Sequence, residues 1–182
     1  PIGTALTPLI QAEFGDRLPS NSELQAFYER LGLLQTPEIN LPVAPEETYD
    51  SLQGLRISPL QAGIAAAALS YKGISPSPRI ATAVNTPQQG WVVLPALSQP
   101  VEVIQSSAAN EAALFFIQKG KPYWSHSGLA SADGTTVTWL LAGTLPDWQG
   151  APLALVVALE ENNIFIAKRI GENILNAAGL NQ

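Results

Sequence analysis

The dipeptide Asp133-Gly134 constrains this chain more than any other feature, because it joins two strand-like runs within Tyr123 to Gln149. Asp-Gly supplies the positive φ angles of a tight hairpin at low cost, so the two runs are expected to pair antiparallel. The first run carries the only histidine, His126, followed by Ser127 and Gly128. A polar triplet on an otherwise apolar strand has two readings. An exposed edge strand often uses such residues to blunt unwanted pairing, with Gly128 marking a bulge. Alternatively, the same edge receives an extended peptide as an added strand, its polar side chains gripping a carboxylate.

A third strand is expected from Pro152 to Leu159. Its core, Leu153-Ala154-Leu155-Val156-Val157-Ala158-Leu159, does not alternate, so both of its faces should be covered. One neighbour is the preceding hairpin strand, and no other stretch of the chain offers a partner for the opposite side. Such an edge should pair with a second copy, be covered by a rearranged segment, or promote aggregation.

Helices are expected at Ile10 to Phe14 and Ser22 to Leu33, the second capped by Ser20 or Asn21. Ser58-Pro59 opens the clearest helix, with serine at the cap and proline at the first helical position. It continues through the alanine-rich Leu60 to Leu69 and closes at Gly73. Between these helices, Leu34 to Tyr49 is proline-rich and expected to be an irregular connection. Ser75 to Pro78 reads as extended, and Ile80 to Val84 and Trp91 to Leu94 as short strands. Ser106 to Gln118 reads as a helix capped by Ser106 and ended by Gly120, and Ile164 to Ala178 as a final amphipathic helix. The fold class expected is α+β, one domain over 1–182, with an antiparallel sheet near the C-terminus packed against helices.

Composition narrows the function. The formal net charge is −6 and there is no run of Lys or Arg, which argues against nucleic acid or an anionic membrane surface as the main partner. There is no cysteine, which excludes disulfides, thiolate chemistry and cysteine-ligated metals, and a single histidine excludes a multi-histidine metal site in one copy. No cofactor motif is present. The longest apolar run is too short to span a bilayer, and no secretory signal opens the chain. With no methionine and a first residue Pro1, the chain is expected to be a processed or excised piece of a longer protein.

The order of elements resembles a known family. Phe27-Tyr28-Glu29-Arg30-Leu31-Gly32-Leu33, Ile39-Asn40-Leu41-Pro42, Leu52-Gln53-Gly54-Leu55-Arg56-Ile57-Ser58-Pro59-Leu60-Gln61-Ala62, Gly73, and Pro76 to Arg79 resemble the transpeptidase domain of penicillin-binding proteins. That family has a helix ending in Leu-Gly-Phe/Leu, then Ile-Asp-Leu-Pro, a Gly-Gln-Gly turn, a Thr-Pro-Leu-Gln helix start and an Asn-Gly-Gly end. The resemblance runs from about Ala5 to Gly179, and order and spacing carry it more than any single motif.

The resemblance implies the C-terminal portion of a β-lactamase/transpeptidase-like fold. It places His126-Ser127-Gly128 at the family's Lys-Thr/Ser-Gly motif, which binds the substrate carboxylate. Leu129 then follows at the residue whose backbone N–H is one of two oxyanion donors. The family's reaction is acyl transfer from a terminal D-alanyl-D-alanine to a serine in Ser-x-x-Lys, with that lysine and a Ser-x-Asn motif moving protons. No serine here has a lysine three residues on, and Ser20-Asn21-Ser22 and Ser70-Tyr71-Lys72 do not fit either motif. Histidine in place of lysine also weakens the permanent positive charge.

The resemblance therefore implies a substrate-gripping portion of a cell-wall enzyme, inactive by itself, whose partners are a peptidoglycan stem peptide or a β-lactam once the upstream half is joined. It implies an extracytoplasmic location and a membrane-anchored parent. The alternatives are a non-catalytic transpeptidase-like binding or assembly module, and an unrelated small secreted α+β binding domain. A homodimer is expected along the exposed edge 152–159. Trp124, Trp139 and Trp148 read as packing or rim residues, with substrate contact beside the motif strand an alternative for Trp124; Glu160, Glu161 and Asp147 read as solvating groups, and Asp133 as a turn former.

Overall fold

The computed structural model describes residues 3–37, 39 and 55–180. Most of the proline-rich connection, Asn40-Leu41-Pro42 and Leu52-Gln53-Gly54 lie outside them. A short 3-10 turn, Gly3–Leu6, leads into α1, Thr7–Phe14, which starts earlier than the apolar pattern predicts because Pro8 is favourable in its first turn. Helix α2, Asn21–Arg30, begins with a capping box: Glu23 N–H donates to Ser20 Oγ, and Ser20 N–H donates to the Glu23 carboxylate at 2.8 Å. It stops short of the expected Leu33 because Gly32 adopts φ 71.

Helix α3, Pro59–Ser70, has the same device, Ser58 paired with Gln61. Its alanines Ala62, Ala65, Ala66 and Ala68 are buried, as a thin rod packed among neighbours requires. Two small antiparallel pairs follow. Strand β1, Ile74–Ser75, pairs with β4, Val101–Glu102, and between them β2, Ala83–Thr86, pairs with β3, Gly90–Val93. Helix α4, Ser106–Phe115, is shorter than expected at its C-terminal end, because Ile117 forms a bridge with Trp124. Its N-cap is Gln105 and not Ser106.

The main sheet has the order β5-β6-β7, all antiparallel. Strands β5, Tyr123–Ala132, and β6, Thr135–Thr144, flank the turn at Asp133 (φ 53) and Gly134 (φ 78), as the dipeptide predicts. Strand β7, Ala154–Leu159, starts after Pro152, whose ring nitrogen cannot donate to a ladder. Helix α5, Ile164–Ala177, closes the chain, with Asn163 Oδ1 accepting from Ile166 N–H.

Side chains alternate across the sheet, and each face has its own cover. Trp124, Ala130, Trp139 and Leu141 join the core built with α1 to α4, with Val156 packed against it. On the opposite face Tyr123, Ala142, Leu140 and Val157 pack against Leu175 and Ala167 of α5. The sheet is thus sandwiched between the α1–α4 layer and α5. Strand β7 has no second neighbour among the described residues, in line with the missing partner inferred from its non-alternating run.

Candidate functional site

His126, Ser127, Gly128 and Leu129 all lie on β5, and alternation divides them between the two faces. His126 and Gly128 share the α1–α4 face with Trp124. Ser127 and Leu129 share the α5 face with Tyr123. The backbone groups divide in the same rhythm. Ser125 N–H donates to Phe116 O at 3.1 Å, and Tyr123 O accepts from Gln118 N–H at 3.1 Å, away from β6. Odd-numbered residues of β5 therefore turn their N–H and C=O outward, and even-numbered ones bond to β6.

The outer edge is occupied at its start by 116–118, where the Gln118 side-chain amide also donates to Ser125 O at 3.2 Å. From Ser127 onward the outward N–H and C=O of Ser127 and Leu129 have no hydrogen-bond partner among the described residues. The Ser127 hydroxyl is equally unengaged. This is an open donor-acceptor row of the kind an extended peptide adds to.

The face beside that row is not open. The turn at Gly3–Leu6 lies across it: His126 Nε2 donates to Thr4 O at 3.2 Å, bridging 122 residues of sequence. A β-carbon on Gly128 would sit 2.5 Å from Ala5 N and 2.8 Å from Ala5 Cα, so only glycine admits this close approach of two backbones. Phe116 packs edge-on against the His126 ring with centroids 5.1 Å apart. Thr4, Ala5 and Phe116 were not among the residues the sequence singles out. Nothing within ten residues of His126 signals the first two, and Phe116 reads as an ordinary apolar helix position.

This setting changes the role open to His126. Burial, the largest influence, pushes its imidazole below the ordinary value of 6.5; the Thr4 carbonyl opposes this, and the positive field of Lys168 on α5 adds to it. Burial thus disfavours the charged form of the ring, which further weakens the positive charge that histidine in place of lysine already reduces. The His126 ring contributes as a packed hydrogen-bond donor.

A titration follows from the same geometry. Because the folded-state value lies below the unfolded one, the stability tied to neutral His126 is fully present above 6.5 and is lost as the pH falls through the folded value. The chain has one histidine, so its ring protons give one clean NMR titration. The expected midpoint lies below 6.5. A midpoint at or above that value would mean a solvated, chargeable ring.

Among the described residues, no group of three or more His, Asp or Glu side chains converges as a metal site would require. No helix there is long and apolar enough to cross a membrane. Trp124 and Trp139 are packing residues, as expected, and Trp124 Nε1 donates to Ser70 Oγ at 3.0 Å.

No protein-family model and no curated protein sequence matches the chain. Solved structures do. Penicillin-binding protein 3 from Mycobacterium tuberculosis superposes with a TM-score of 0.70 at 14% identity, over 88% of this chain and 47% of that one. Penicillin-binding protein A from M. tuberculosis, in its imipenem acyl-enzyme complex, gives 0.70 at 18% identity, over 86% of this chain and 42% of that one. The D,D-transpeptidase domain of a peptidoglycan glycosyltransferase from Eggerthella lenta gives 0.65 at 12% identity, over 88% and 49%. The chain thus spans less than half the length of each of these three structures. It has the fold of penicillin-binding protein transpeptidase domains, mixed α and β with an antiparallel sheet between helices.

Proposed function

We propose that this chain is the C-terminal, substrate-clasping portion of a D,D-transpeptidase-like domain that acts in peptidoglycan cross-linking outside the cytoplasm, in a parent anchored to the membrane. The observation that carries the reading is the open backbone row at Ser127 and Leu129, on a strand whose fold neighbours are penicillin-binding proteins. A peptide ending in a carboxylate would add along this row, with Ser127 Oγ donating to the carboxylate. Leu129 N–H would point at the carbonyl oxygen on which negative charge develops during acyl transfer. Penicillin-binding protein 3 of M. tuberculosis has been solved with aztreonam and with ampicillin, and a β-lactam is the corresponding ligand here. His126 would hold the adjoining backbone in place instead of supplying charge.

The reacting hydroxyl must come from elsewhere, since no Ser-x-x-Lys occurs in the sequence. A fluorescent penicillin is expected to leave no covalent label on this chain alone, and to label a longer parent that carries the upstream half. A labelled 182-residue chain would overturn the proposal.

A second reading, a non-catalytic transpeptidase-like binding or assembly module, is favoured by one observation: Thr4 and Ala5 wall off the His126 and Gly128 face with the chain's own backbone. A parent that also lacks Ser-x-x-Lys would select it. In both readings the bare edge of β7 is completed by a further strand.

A further inference from the structure

We propose that the β2–β3 hairpin is a pairing arm, and that a second copy of this chain adds its own β3 antiparallel to β3 about Val92, making a four-stranded sheet. The bare edge of β7 is left to the upstream half of the domain, and the arm is a separate surface.

The arm stands clear of the body. None of residues 74–102 joins a hydrophobic core among the described residues. Its foot is the β1–β4 pair, tightened by Ser98 N–H donating to Ser77 Oγ at 3.0 Å and by the Arg79 guanidinium donating to Leu94 O at 3.4 Å. Beyond that foot β2 and β3 form a two-stranded ribbon, which in water is marginal until further strands or a packed face support it. Its side chains are apolar and bare: Trp91 is 73% exposed, Val93 77%, and Ile80 68%.

The backbone sets the register. Leu94 N–H donates to Thr82 O at 2.9 Å, so even-numbered residues of β3 bond to β2, and Trp91 and Val93 turn their N–H and C=O to the outer edge. Those outward groups have no partner among the described residues. The row is bounded at both ends, because Gln89 N–H is taken by Thr86 Oγ1 at 3.1 Å and Pro95 has no N–H. Two free residues centred on Val92 match their own two-fold image, each Trp91 falling opposite Val93 of the second copy. Moving the centre by one residue sets Gln89 or Pro95 against a free residue.

The side chains fit the same register. Trp91 and Val93 lie on one face of the ribbon with Ala83 and Asn85, so both new Trp91–Val93 pairs form there, aromatic against β-branched, a favourable cross-strand combination. On the other face Leu94 falls opposite Gly90, a large side chain beside a residue that has none.

Charge points to a second copy as the occupant. The chain has a net charge of −6, yet no charged residue occurs between Arg79 and Glu102, so two copies can meet here without bringing like charges into contact. The edge also lacks the lysine or inward charge with which exposed strands are commonly blunted.

Sedimentation equilibrium between about 10 μM and about 1 mM tests the pairing. An interface of two short strands falls below the about 1,200 Å² at which stable complexes begin, so a weak, reversible dimer is expected. Trp91→Lys and Val93→Glu change exposed positions, and each should weaken the dimer about tenfold while leaving the circular dichroism spectrum unchanged. Mixed in equal amounts, the two variants set the new ammonium opposite the new carboxylate and keep one Trp91–Val93 pair. A heterodimer about as tight as the unaltered dimer is expected.

A monomer throughout overturns the pairing, as does a dimer indifferent to Trp91→Lys, which would place the contact elsewhere. Two weakened variants that form no heterodimer overturn the register about Val92. A chain that stays monomeric while its tryptophan emission shifts to the blue on phosphatidylcholine vesicles overturns the pairing and assigns the arm to a bilayer. The readout is association and not acylation, so its failure is distinct from failure of the transpeptidase reading.

Discussion

Replacing Trp124 by alanine is expected to cost about 3–5 kcal/mol, a large fraction of the 5–15 kcal/mol that typically holds a domain folded. Trp124 is fully buried and sits where three parts of the molecule meet. Its backbone bridges to Ile117, its ring fills the core between β5 and the helices, and its indole N–H reaches Ser70 at the end of α3. Alanine opens a cavity and strands the Ser70 hydroxyl, which is itself buried. Trp124→Phe separates the two effects, keeping most of the volume while losing the hydrogen bond, and should cost about 1–2 kcal/mol. Urea unfolding measures both. A loss below about 1 kcal/mol for the alanine variant would show that the sheet and α3 are not clamped by this residue.

Replacing Gly73 by alanine is the other large effect, on the order of 2–5 kcal/mol. Gly73 adopts φ 84, and a β-carbon there would run into the carbonyl of Ile104. That carbonyl cannot retreat easily, because Val103 and Ile104 both donate their N–H to Gly73 O, at 2.9 and 3.1 Å. Gly73 therefore ends α3 and docks the segment leading into α4 in one step. Gly32→Ala is the control, with φ 71 and nothing within 4 Å of the added carbon, so it carries backbone strain alone. It should cost about 1 kcal/mol. Equal losses at the two sites would mean that the approach of Ile104 is not tight.

The local signals in the sequence translated well where the physics is local. Ser58-Pro59 starts α3 where a cap and a first-turn proline should, and Asp133-Gly134 turns the hairpin. The expected fold class and the resemblance to penicillin-binding transpeptidases agree with the superpositions. Boundaries moved where tertiary contacts competed with helical periodicity. Helix α4 gives up its last turn because 116–118 finds backbone partners on β5, which an isolated reading of 106–118 does not contain.

The candidate site divides in the same way. That His126, Ser127, Gly128 and Leu129 form one strand, with alternate residues on opposite faces, follows from the two-residue period of a β-strand and was readable from the chain alone. So was the absence of a Ser-x-x-Lys nucleophile.

Whether His126 carries charge was decided only by the folded molecule, because desolvation depends on what packs over the ring, and here that is Thr4, brought in from 122 residues away. The same holds for the open row at Ser127 and Leu129, whereas the missing neighbour of β7 was already legible in its non-alternating run. A strand's hydrogen-bonding groups are written into every residue alike, and only the three-dimensional arrangement of neighbours determines which of them are left to bind something else.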